Sequence, residues 1–360
     1  VPDLSTRFSS LFAYAPGKNV ISPATDMICV GLGSIIFLAP LVLFGDDSIL
    51  AFGGAVIATL TICVNMPHFM ASYRIVYRSK ESILRHKWAS VIVPTLLMIY
   101  LAFAVYRSGT DFRFLGLANL VGGLYLAWHY TGQAWGMMAT YGFLAGAPFS
   151  NRERTLIRTG LRVQLVWHLS WVLEYGVDGR TIDHPVVSQI YFVMSCVTVI
   201  GFLLALTGFC LYRKRMGLFP PLRALVAWLA ICFWYGAMAR DPEAFFWVQI
   251  AHAVQYMSFP GRVEINNYDK AHPDEPHNTR SHFLIFAVYF IALIGIGYVI
   301  EFCTSVFGLV LMGYPGSFIS GKNLPIAVLA FINIHHYFTD GVIWKISNKE
   351  VKKELFAHLK

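Results

Sequence analysis

Five histidines lie inside apolar stretches of this 360-residue chain: His68, His129, His252 and the adjacent pair His335 and His336. An imidazole among lipid-facing side chains is costly, so such groups face inward and mark functional positions. Most have a polar neighbour on the same helical face. Asn65 precedes His68 by three, Gln133 follows His129 by four, Gln255 and Tyr256 follow His252 by three and four, and Asp340 follows His336 by four. Imidazole is the commonest ligand for iron, copper and zinc, and a ligating ring needs an acceptor on its other nitrogen. The reading is a metal site with His68, His129, His252, His335 and His336 as ligands and Asp340 as ligand or orienting base. Asn65, Gln133 and Gln255 are expected to orient the rings, with His168 as an additional candidate. Tyr256 and Tyr337 are placed to donate protons. The bland alternative is that each histidine is a structural hydrogen-bond donor. Five at related depth, two of them contiguous, argue against it.

The elements that must hold these residues follow from composition. The chain is 56% hydrophobic and 13% charged, against roughly 25% charged in soluble domains. Apolar runs near the length that crosses a hydrocarbon core of ~30 Å recur from end to end. The expected fold is all-α: a polytopic transmembrane helical bundle of about ten spans, at 27–44, 49–72, 88–106, 114–135, 156–175, 187–212, 222–238, 244–259, 283–302 and 324–344. A segment 1–26 precedes a single membrane domain, 27–345, and an amphipathic tail, 346–360, follows it. The first apolar run begins near Met27 after a polar lead with Pro2, Pro16 and Pro23, so a cleaved signal is not expected. Cys29, Cys63, Cys196, Cys210, Cys232 and Cys303 include no close CxxC pair and read as small core residues.

Charge placement sets the orientation. With both termini on one side, that side carries 23 of the 28 basic residues. The positive-inside rule then makes both ends cytoplasmic, and the expected location is a bacterial inner membrane. A net charge of +8 is thereby explained without nucleic acid. Residues 261–282 read as a polar cytoplasmic loop containing His272 and His277, and 304–321 as a re-entrant segment or lid. At ~1.5 Å per residue, His129 lies about 24 Å below Arg113, His335 about 20 Å below Lys322, His252 about 14 Å below Glu243 and His68 about 30 Å below Ser48. Most of these depths fall in the cytoplasmic half of the bilayer.

The donor set restricts the chemistry. Carboxylate-bridged di-iron bundles need several Glu residues and Glu-x-x-His pairs, and the histidine boxes of membrane desaturases are missing. A His-rich site with at most one carboxylate suits non-haem iron, or copper, activating O2 beside a lipid-soluble substrate. The elements Pro67-His68-Phe69 and His336-Tyr337-Phe338-Thr339-Asp340, with His129 and His252 between them, resemble the Brp/Blh-type membrane carotenoid dioxygenases. The resemblance covers four short patches. It implies an iron-bound polyhistidine site that oxidises a long apolar molecule. Two other function classes stand beside this oxygenase or hydroxylase reading. One is an electron-transfer or pigment-binding subunit holding haem b. The other is a transporter or scaffold with proton-relay histidines. The expected partners are the lipid bilayer, a lipid-soluble substrate and a redox partner on the cytoplasmic side.

Overall fold

The computed structural model describes residues 14–15, 17–52, 54–176, 184–273, 279–312, 321–344 and 349–359. They are helical, with an isolated bridge between Tyr14 and Phe219 and no strand among the described residues. In chain order the helices are α1 (Pro23–Phe44), α2 (Ala55–Tyr77), α3 (Lys80–Arg85), α4 (Trp88–Arg107), α5 (Arg113–Leu144) and α6 (Asn151–Tyr175). There follow α7 (Pro185–Met216), α8 (Leu222–Arg240), α9 (Ala244–Ala271), α10 (Thr279–Met312), α11 (Leu324–Ile343) and α12 (Lys349–Leu355). Seven helices, α1, α2, α4, α7, α8, α10 and α11, are long and apolar enough to cross a membrane. The other three stretches expected to span lie in helices α5, α6 and α9. These carry His129, Gln133, His168, His252 and Gln255, and α6 also carries Arg152, Glu153, Arg154, Arg158, Arg162 and Glu174, so all three are less apolar.

The chain divides into two compact units, one of residues 1–51 and 127–255 and one of 52–126 and 256–360. In the first, α6 and α7 pack closely because Gly160 and Gly201 oppose each other. A Cβ on Gly160 would stand 2.4 Å from the Gly201 carbonyl oxygen. Small residues at a crossing are how apolar helices bring their backbones together. α1 packs on α8 through Gly31, where a Cβ would meet the Ala230 Cβ at 2.4 Å. In the second unit, α2 packs on α10 and α11, and α11 on α4. One apolar core there joins Met66, Phe69, Tyr256, Leu293 and Ile332, and another joins Leu101, Ala104, Leu115, Ala118 and Ala327.

Three helices widen into π-turns, and two of these have a visible cause in proline. Residues 61–65 are a π-turn just before Pro67 and 88–92 one just before Pro94. Proline cannot donate to the carbonyl four residues back, and the preceding turn opens. In α1 the π-turn 28–32 holds Gly31 at φ 151° and ψ −14°, a conformation that L side chains rarely adopt.

Several sequence expectations are corrected. α1 begins at Pro23 rather than Met27, because Ser22 caps it, accepting from the Thr25 N–H, and proline suits the first helical position. The expected loop 261–282 is largely helix: α9 runs on to Ala271 through Pro260. Two of its polar residues find partners inside the second unit. Glu264 pairs with Arg74 at 2.9 Å, and the Asn266 amide donates to the Glu354 carbonyl at 2.7 Å. The expected lid 304–321 is helical to Met312, and 313–320 lie outside the described residues. So do His277, residues 1–13 and 345–348. The tail forms α12, with Leu355 and Phe356 buried and Arg78 paired to Glu354. The six cysteines are free, and none is buried: Cys196, Cys210 and Cys303 are exposed on helix faces.

The start of α6 carries a pH-sensitive lock. Ser150 and Glu153 form a capping box, and Arg215 donates to both Glu153 carboxylate oxygens, at 2.7 and 2.8 Å. Burial alone would raise the Glu153 pKa. Arg215 and the Ser150 N–H outweigh it and hold the carboxyl below its usual value. The stabilisation is complete above the unfolded value of about 4.3 and is lost as pH falls through the depressed folded value. Glu153→Gln is expected to lower stability by about 1–2 kcal/mol at neutral pH. Thermal unfolding of the variant in detergent should lack the wild type's acid-side decline from this group.

Candidate metal centre

In the first unit the site is built from α5 and α9. His129 Nε2 and His252 Nε2 approach to 3.0 Å, with the rings edge to face at 4.7 Å. Tyr130 lies against His252 at 4.6 Å. The Gln133 amide donates to the His252 carbonyl at 3.1 Å and to Gln255 Oε1 at 2.9 Å, and Gln255 Nε2 donates to the Val30 carbonyl at 2.6 Å. These amides tie α5, α9 and α1 together, and the π-turn of α1 is what meets them. There the Gly33 N–H reaches back five residues to Ile28, and Ser34 Oγ donates to the Gly31 carbonyl. The indole N–H of Trp234 then donates to Ser34 at 2.9 Å.

In the second unit α2 and α11 supply a matching pair. The His68 and His336 rings lie 4.2 Å apart, and Tyr256 sits edge-on to His68 at 4.7 Å. Asp340 is the hub of the surrounding polar network. Its Oδ2 is 3.2 Å from His336 Nε2, and its Oδ1 accepts from Ser72 at 2.6 Å and Tyr256 at 3.1 Å. The Ser72 and Tyr256 hydroxyl oxygens lie 2.5 Å apart, so that either can donate to the other in place of Asp340, and the Trp344 indole donates to Tyr256 at 2.7 Å. Ser72 and Trp344 escaped the sequence reading, although the same spacing rule finds both. Ser72 follows His68 by four, and Trp344 follows Asp340 by four.

His68, His129, His252 and His336 are all buried, and one ring nitrogen from each lies within 4.8 Å of the others. A group of four imidazoles at this spacing could hold a metal ion. His335, named with them from sequence, lies outside the group. Its Nε2 bonds the Ala89 carbonyl at 2.7 Å and its ring stacks on Tyr73 at 5.0 Å. Pro94 explains that position. The Val93 N–H is drawn to the Trp88 carbonyl and Pro94 has no N–H, so the Ala89 and Ser90 carbonyls lose their helical donors. His335 takes the first and the Tyr77 hydroxyl the second, at 2.7 Å.

The remaining candidates are placed as follows. Asn65 is buried at the end of the π-turn that precedes His68. Tyr337 is buried and stacks on Tyr125 at 5.4 Å. His168 on α6 is buried outside the group, with Nδ1 3.1 Å from the Tyr235 hydroxyl. His282 pairs with Asp269 at 2.8 Å, and His272 Nδ1 lies 3.1 Å from the Tyr268 carbonyl oxygen. Set against known proteins, the chain matches no family model, no curated protein and no solved structure.

Proposed function

We infer that this protein is an integral membrane metal-dependent oxidoreductase of the oxygenase or hydroxylase type, acting on a lipid-soluble substrate. The observation that carries this reading is the buried group of four imidazoles. Its spacing suits a single ion. Two ligand nitrogens at ~2.1 Å from a metal are about 3.0 Å apart at a right angle and about 4.2 Å apart when opposed. The His129 and His252 nitrogens are 3.0 Å apart, and no pair in the group exceeds 4.8 Å. The same crowding counts against haem b, since a porphyrin would need a slot between axial rings. Four neutral nitrogens with one nearby carboxylate favour iron, with copper second.

Iron held there would supply the activation of O2 that an apolar substrate needs. The protein's own residues hold and orient. Ser72 and Tyr256 fix the Asp340 carboxylate, which aims the His336 ring. The Tyr256 hydroxyl can hold a proton beside His68. Phe69 and Tyr130, packed against His336 and His252, exclude water. The elements around His68 and His336 resemble Brp/Blh-type dioxygenases and supply two of the four rings, which favours a polyene or isoprenoid substrate. The proposed topology has α5, α6 and α9 completing ten spans. Both termini are then on the cytoplasmic side of a bacterial inner membrane, where a redox partner would dock.

The test is elemental analysis and an absorption spectrum of detergent-purified protein. About one equivalent of iron or copper without a Soret band is the expected result. A Soret band, or protein that neither contains nor takes up either metal, would overturn this reading.

A further inference from the structure

α5 and α6 leave a half-open groove on the first unit. Each wall is one helical stripe. Trp128, Gly132 and Trp135 come from α5, and Arg158, Arg162 and Leu165 from α6. The Arg158 guanidinium stands 5.9 Å over the Trp135 ring, and Trp128 is 60% exposed. Among the described residues, no carboxylate pairs with Arg158 or Arg162.

The groove has a polarity. α5 and α6 connect through 145–150, so Trp135 and Arg158 lie at the end near that connection. Trp128 and Leu165 lie about 10 Å further along. A cationic end near the helix termini thus gives way to an apolar end deeper in. Arg162 stands about 16 Å along α6 from its first residue, where an exposed and unpaired guanidinium is unfavourable at membrane depth. Arginine meets phosphate oxygens with a matching fork of donors. Basic pockets between membrane helices recognise acidic headgroups in this way. Trp128 and the buried His129 are consecutive and so point about 100° apart, which separates this groove from the imidazole group. That separation favours a bilayer lipid over a reacting substrate as the occupant.

We propose that this groove is a binding site for an anionic glycerophospholipid. Its phosphate sits on Arg158 and Arg162, and its first acyl segment runs over Gly132 between Trp128 and Leu165. The site is independent of metal content.

Native mass spectrometry of the full chain, with phosphatidylglycerol or phosphatidylcholine of identical acyl chains, tests this with two unlike variants. Arg158→Gln with Arg162→Gln removes the charge. Gly132→Leu fills the apolar end: a Cβ there meets no heavy atom within 4 Å, so the new side chain enters the groove without a clash. Leucine also favours the helix over glycine, so the fold is retained. Wild-type protein is expected to hold phosphatidylglycerol in preference to phosphatidylcholine. The double arginine variant should lose about tenfold or more of that binding and the headgroup preference with it. Gly132→Leu should lower the binding of both lipids. Equal retention of the two lipids by the wild type would overturn the site, and so would wild-type retention of phosphatidylglycerol by Gly132→Leu, which would leave only a general attraction to the basic rim.

Discussion

His252→Ala protein, purified in detergent, is expected to hold less than about a tenth of the wild-type iron or copper, and His335→Ala nearly all of it. The two histidines are similarly buried, so burial alone predicts no difference. Their partners do. His252 Nε2 faces His129 Nε2 at 3.0 Å and belongs to the group of four. Two such nitrogens are served either by one shared hydrogen or by a cation between their lone pairs. His335 Nε2 instead completes the carbonyl that Pro94 and the π-turn of α4 leave open. Losing it should cost about 1–3 kcal/mol of stability as a buried acceptor goes unmet, without touching metal content. Elemental analysis of size-matched monodisperse fractions reads the contrast. Equal metal in both variants would remove the histidine group as its binding site.

Asp340→Ala is expected to destabilise the protein by about 2–4 kcal/mol and to weaken metal affinity about 10- to 100-fold. The stability loss follows from what the carboxylate accepts. Ser72 and Tyr256 both donate to Oδ1, and Trp344 is held through Tyr256. Removing the hub leaves two buried hydroxyls with only each other as acceptors, so one of their hydrogens is stranded. Ser72→Ala and Tyr256→Phe should each cost less, and their combination should be non-additive because the two hydroxyls also bond each other. Thermal unfolding in detergent measures these terms, and metal titration measures the affinity. Complete loss of metal in Asp340→Ala, equal to that of His252→Ala, would make Asp340 a ligand rather than the group that aims His336.

Four of the five histidines singled out within apolar stretches fall in the group that could hold a metal, and the reason they were legible is simple. An imidazole in an apolar run is conspicuous whatever the helix does around it. The helical class and the seven most apolar helices were legible for the same reason, since apolar length alone marks them. What escaped was everything that depends on partners. Nothing in the spacing separates His335 from His336, because only the carbonyls opened near Pro94 give His335 another acceptor. Gln133 and Gln255 read as ring-orienting amides, yet they bind main chain and each other across three helices. The stretch 261–271 read as a loop because it is charged. The charges become tolerable in a helix only when Arg74 and the returning tail are there to meet Glu264 and Asn266.

The π-turn at 61–65 gives the chain an unusual sensitivity to length. A π-turn is one residue longer than the α-turn it replaces, and one residue is worth about 100° of rotation. Deleting a single residue there would leave composition, hydropathy and every side chain of the centre intact. It would nevertheless turn either Pro67, His68 and Ser72 or the lead-in of α2 out of phase with the rest of the protein. The 28–32 turn, which presents the Val30 carbonyl to Gln255, carries the same liability. Substitutions in these turns should therefore be accepted far more readily than insertions or deletions. Among homologous chains, helix length between 61 and 72 should vary less than residue identity does.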